Sequence, residues 1–164
     1  MDPRSDDRSA LMELKATYFR LLDTKRWDEW RQLFTDGFVF HGDESAGPLT
    51  DQPMASGGDA FVELVSAALQ NAVTVHQGHM PELTFVDDRN ANGIWAMFDW
   101  VDSSASGGFS MQGFGHYHER YVKGDDGRWR FEELTLRRLR VDQMAASSVV
   151  PPPVAPWTRS RAPS

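Results

Sequence analysis

A chain of 164 residues that is 40% hydrophobic, with six tryptophans, can fold as one domain around a substantial core, and its net charge of −7 argues against a general nucleic-acid binder, because phosphate contacts need clustered Lys and Arg. The chain has no cysteine, which removes disulfides, thiolate nucleophiles and Cys-based metal or iron–sulfur sites. No stretch approaches the roughly 20 apolar residues of a membrane span, and the opening MDPRSDDRSA has no apolar signal core, so a cytoplasmic protein without membrane or nucleic-acid partners is expected.

In chain order, residues 1–7 read as a polar leader, and Asp7 or Ser9 is the candidate cap of a helix through ALMELKATYFRLLD. Leu11, Leu14, Tyr18, Leu21 and Leu22 fall at helical spacing and form its inward stripe. KRWDEWRQLF reads as a second short helix, GFVFHG as a short strand, and DESAGPLTDQPMASGG as a loop. DAFVELVSAALQNA is a third helix, with Phe61, Leu64, Val65 and Leu69 on one face. From Val73 the period changes to two. VTVHQGHM, ELTFVDD, GIWAMFDWV, FSMQGFGHYHERYVK and RWRFEELTLRRLRV read as strands, with NANG and GDDG as hairpin turns and DSSASGG as a softer loop. From Ala145 the Pro-rich AASSVVPPPVAPWTRSRAPS reads as a disordered or loosely docked tail, which leaves residues 8–144 as the domain.

Helices first and strands after imply an α+β domain, with a curved antiparallel or mixed sheet wrapped around three N-terminal helices. Such a sheet forms a cone, and its concave mouth suits a ligand. In GIWAMFDWV the residues Trp95, Met97, Asp99 and Val101 share one face, and Ile94, Ala96, Phe98 and Trp100 share the other. Both faces are apolar, so the outer face is expected to be covered, most simply by a second copy in a homodimer. Asp99 inside this run is costly to bury unless paired or hydrogen-bonded. His76, the His116 and His118 pair on one strand face, Asp23 at the end of the first helix, and Arg138 and Arg140 on one face of the last strand are the polar groups that could converge with it.

YFRLLDTKRWDEWRQLF, VHQGHMPEL and GHYHERY…DGRWRFEELTLRRLR together resemble the SnoaL-like branch of the nuclear-transport-factor-2-like superfamily, over roughly residues 8 to 143. The resemblance implies a cone with an internal pocket, usually in a dimer. It also implies chemistry of the scytalone dehydratase, bile-acid dehydratase, isomerase or cyclase kind, or a non-catalytic binder. In the dehydratases a Tyr and an Asp on the first helix, a His on a middle strand and an Asp or His on the next line the pocket. Those positions look like Tyr18, Asp23, His76 and Asp99 here, with Arg138 similar to a late-strand basic residue.

The expected function is therefore a cofactor-independent dehydratase or isomerase acting on a hydrophobic, ring-containing, oxygenated small molecule such as a steroid or polyketide. The alternative is a non-catalytic small-ligand-binding or dimerising domain. His76 suits the base and Asp99 its orienting partner. Asp23 would hold a water, a hydroxyl or His76 itself. Tyr18 would polarise a carbonyl. His116, His118, Arg138, Trp95, Met97 and His41 are the expected substrate-binding residues. The bland readings are an Asp99 bonded to Arg138, an Asp23 that merely ends its helix, a Tyr18 that is simply core, and a structural His79. No metal is expected: HQGH lacks the i, i+4 spacing of the zinc-helix motif, and no third ligand accompanies His116 and His118.

Overall fold

The computed structural model describes residues 4–42, 52–104, 108 and 110–144. The loop expected at 43–58 lies partly, and the tail expected from 145 wholly, outside the described residues. Helix α1 spans Ser5–Asp23 and α2 spans Trp27–Arg31; β1 (Phe34–His41) and β2 (Ala55–Ser56) precede α3 (Gly58–Leu69). Four long strands follow: β3 (Val73–Phe85), β4 (Asn90–Asp102), β5 (Ser110–Lys123) and β6 (Trp129–Met144). They form one curved, unclosed sheet in the order β2-β1-β6-β5-β4-β3. Every pairing is antiparallel except β1 with β6, which is parallel, so the sheet is mixed.

The stripe read from α1 faces this sheet. Leu11, Leu14, Tyr18, Leu21 and Leu22 are buried with Trp30, Phe34, Phe38 and Phe61 against Trp95, Met97, Tyr117, Tyr121 and Phe131. Aromatic edges meet faces throughout this core, as between Trp30 and Phe34, whose ring centroids lie 4.9 Å apart at 84°. The helix starts ahead of its expected caps: Asp7 lies in its first turn and ties it to the far hairpin, accepting from Lys123 Nζ at 2.6 Å and Trp129 Nε1 at 2.9 Å.

Several boundaries differ from the pattern in the sequence. The second helix is a single short turn because Phe34 already pairs in β1. VTVHQGHM and ELTFVDD form one strand, interrupted by a register shift between His79 and Glu82, where Met80 takes φ 36° next to Pro81. NANG is not a turn but the first four residues of β4. The turn precedes it, and the Asp87 carboxylate holds it by accepting from the backbone N–H groups of Arg89 (2.7 Å) and Asn90 (2.8 Å). GDDG does turn the chain, with Gly127 at φ 73°. Arg138 and Arg140 lie on opposite faces, not one. A bulge sets Arg138 beside Gly115 and Arg140 beside Phe114, leaving Leu139 as the extra residue.

Candidate functional site

Alternation places Thr74 and His76 of β3, and Trp95, Met97, Asp99 and Val101 of β4, on the sheet face that meets the helices. His76 and Asp99 are direct neighbours across the β3–β4 ladder. They do not form the expected pair. His76 Nδ1 instead lies 2.6 Å from Asp23 Oδ1, and the His76 backbone N–H donates to Asp23 Oδ2 at 2.9 Å. Thr74 Oγ1 donates to Asp23 Oδ1 at 2.9 Å. Asp23 ends α1, where the negative end of the helix dipole opposes a carboxylate. These three donors from β3 offset that cost and fix the carboxylate. The His76 side chain is 7% exposed and that of Asp23 is 22% exposed, so the pair borders the interior rather than open solvent. A carboxylate only accepts, so Nδ1 is the ring nitrogen that donates to Asp23, and in the neutral imidazole Nε2 is the nitrogen that accepts.

Asp99 is 1% exposed, and its Oδ2 accepts from the Arg138 guanidinium. Arg138 reaches across from β6 because β5 has no side chain between them. A Cβ at Gly113 would overlap Asp99 Oδ1 and stand 2.5 Å from Arg138 Nε. Asp99 Oδ1 itself has no hydrogen-bond partner among the described residues. A buried carboxylate is thus matched by a guanidinium, which answers the desolvation cost of Asp99 without His76.

Tyr18 packs between these charges and the core, its ring 5.3 Å from both Trp30 and Phe131 and 6.4 Å from Tyr117. Burial first, and then the negative charges of Glu119, Asp23 and Asp99, hold its phenol well above the ordinary tyrosine range, with Arg138 acting the other way. Tyr18 is therefore a neutral hydrogen-bond donor. Trp95 and Met97 are buried in the core on this face, and Trp95 Nε1 donates to the Tyr121 hydroxyl at 2.8 Å.

His116, His118 and His41 lie elsewhere. Tyr117, Glu119 and Tyr121 alternate inward on β5, so His116 and His118 face the other side of the sheet, with their rings 6.3 Å apart. His118 lines a shallow depression of about 240 Å³ there, with Asn92, Arg120 and Thr135. Burial, then Arg137 and His116, lower its pKa. His41 pairs with Thr135 on β6 and shares that outer side, because Phe40 beside it packs on Phe61 in the core.

A second polar group in the interior was not among the expected residues. Lys15 and Glu119 form an ion pair with side chains 1% and 0% exposed. The Tyr121 hydroxyl also donates to Glu119. The Lys15 ammonium lies 3.7 Å from the Tyr117 ring centroid, 4.4 Å from that of Tyr18 and 4.6 Å from that of Phe19. Burial lowers the Lys15 pKa while Glu119 opposes the shift. The signal was present: Lys15 falls on the α1 stripe four residues after Leu11, and Glu119 alternates with two inward tyrosines.

A family model described as a SnoaL-like domain matches residues 3–135. Probable cyclase FGR4 of Gibberella zeae is 29% identical over 146 residues, covering 82% of this chain and 93% of that protein. Among solved structures, the hexachlorocyclohexane dehydrochlorinase LinA-type3 of Novosphingobium barchaimii superposes with TM-score 0.73 at 22% identity, covering 91% of this chain and 97% of the other. A candidate scytalone dehydratase of Novosphingobium aromaticivorans gives 0.70 at 19% identity, covering 91% and 95%. The two structural likenesses concern the fold; the family match covers most of the sequence, and the chain belongs to the SnoaL-like family.

Proposed function

We propose that this small-molecule-processing domain is a cofactor-independent lyase or isomerase, acting as a dehydratase on a hydrophobic, ring-bearing β-hydroxy ketone. The observation that carries the reading is the His76–Asp23 dyad, 2.6 Å apart, on the same interior face as the Asp99–Arg138 pair. His76 Nε2 takes the proton beside the carbonyl while Asp23 stabilises the imidazolium. Arg138, held by Asp99, and the neutral Tyr18 hydroxyl face the charge that develops on the carbonyl oxygen. The C–O bond at the β-carbon then breaks. The imidazolium returns its proton to the departing hydroxide, so water leaves and His76 is regenerated. The two structural neighbours carry the names of a dehydratase and a dehydrochlorinase, which supports an elimination as the reaction class.

The experiment is a screen of cyclic β-hydroxy ketones, steroidal and polyketide-like, for the enone absorbance of the product. Asp23→Asn removes the carboxylate that fixes the tautomer, and His76→Gln removes the base. Each is expected to lower turnover by about 10²–10⁴-fold without changing the circular dichroism spectrum. Wild-type turnover in a folded Asp23→Asn protein refutes the dyad.

A further inference from the structure

The last residues of α1 hold an anomaly. The helix closes as a Schellman turn, in which the Arg26 N–H donates to the Leu21 carbonyl at 2.9 Å and the Lys25 N–H to the Leu22 carbonyl at 3.2 Å. The residue after the cap in such a turn takes a left-handed conformation and is usually glycine. Here it is Lys25, at φ 58°. A long side chain is retained where glycine would relieve the backbone, and this argues that the side chain serves a purpose. Its Nζ lies near the Trp27 ring, 5.8 Å from the centroid, and donates to Thr74 Oγ1 at 2.7 Å. That hydroxyl is the donor to Asp23 Oδ1.

We propose that Lys25 is a positioning residue for the dyad, acting through the Thr74 hydroxyl to aim the Asp23 carboxylate at His76. The inference deepens the catalytic reading above and rests on it for its functional meaning. Thr74 is 4% exposed, so water does not compete freely for its hydroxyl. An ammonium donating to Thr74 Oγ1 occupies an oxygen lone pair and leaves the hydroxyl proton directed at Asp23. A neutral amine at Lys25 accepts that proton instead and turns the hydroxyl away, so that Asp23 loses a donor and His76 senses the change. Burial brings the Lys25 amine down to about 8, against the pull of Asp23. Among the described residues, the charged and titratable groups around this run of hydrogen bonds are Asp23 and Tyr18 on α1, His76 on β3 and Asp99 on β4, the last engaged by Arg138 of β6.

The test requires no substrate, so its failure is distinct from failure of the catalytic reading. The His76 ring resonances are followed by NMR from pH 6 to 10 in the wild type, Lys25→Gly, Thr74→Val and Thr74→Ser. The wild type is expected to transmit a titration step near 8 to the ring. That step should vanish in Lys25→Gly and Thr74→Val and return in Thr74→Ser, which keeps the hydroxyl. Lys25→Gly should melt no lower than the wild type, because glycine relieves the turn. A wild-type ring with no such step, or a step that persists in Lys25→Gly, overturns the proposal.

Discussion

At the scale of single residues, two Lys/Arg–carboxylate pairs among the described residues of the interior differ in kind. Asp99 and Arg138 border the dyad, whereas Lys15 and Glu119 are sealed among four aromatic rings. Removing one member of a sealed pair leaves an uncompensated charge, which costs about 3–5 kcal/mol, whereas replacing both with apolar residues is often neutral. Lys15→Met is therefore expected to lower the urea-unfolding free energy by about that amount, and Lys15→Met with Glu119→Leu to recover most of it. A single variant as stable as the wild type contradicts the pairing. These residues also show what a one-dimensional reading sees. The polar residues of the proposed site, Asp23, His76, Asp99 and Arg138, stand out because each occurs where an element is otherwise apolar or packed, whereas Tyr18 lies in the apolar stripe and was pointed to by the family resemblance alone. Their partners were legible only as alternatives: Asp23 holding His76 and Asp99 bonded to Arg138 stood beside the expected His76–Asp99 pair. His76 has Asp99 beside it on the ladder, but the carboxylate within bonding distance of its ring comes from a helix end 53 residues earlier. That depends on how α1 lies across β3, which no periodicity encodes.

At the scale of elements, β5 owes its role to what it lacks. With no side chain at Gly113, Arg138 and Asp99 meet over a strand that would otherwise separate them. Gly113→Ala forces a methyl into that contact, and overpacking of this kind costs about 1–3 kcal/mol. The expected result is a folded protein with that loss of stability in urea and with impaired turnover, since Arg138 must move. An alanine variant with unchanged stability and turnover would mean the pair can reseat without consequence. Strand faces were readable wherever pairing was regular, as in GIWAMFDWV, whose two alternating sets lie on opposite faces as expected, although the pattern alone left open which set turns inward. They failed at bulges. One extra residue at Leu139 moves Arg140 to the face opposite Arg138. His116, His118 and His41 failed for a different reason: alternation grouped the two β5 histidines correctly on one face, but nothing local says which face turns inward until the tyrosines between and after them pack in the core.

At the scale of the whole molecule, the fold is a curved sheet whose concave side collects one helix end, two strands and the last strand's arginine into a single polar patch inside an aromatic shell. The α+β class and the helix stripe followed from composition and periodicity. The parallel β1–β6 pairing did not, because it joins segments separated by most of the chain and depends on closing the core around Phe34 and Phe131. In the proposed mechanism this shell dries and orients an imidazole base. The most direct test of that mechanism is solvent deuterium incorporation at the α-carbon of a cyclic β-hydroxy ketone or its saturated ketone analogue, read by NMR, with wild-type protein and with Asp23→Asn. Proton abstraction by His76 predicts incorporation at the carbon beside the carbonyl with the wild type, and a loss of about 10²-fold or more with Asp23→Asn. Equal incorporation by both folded proteins, or none above the protein-free rate across the ketone series, would contradict it.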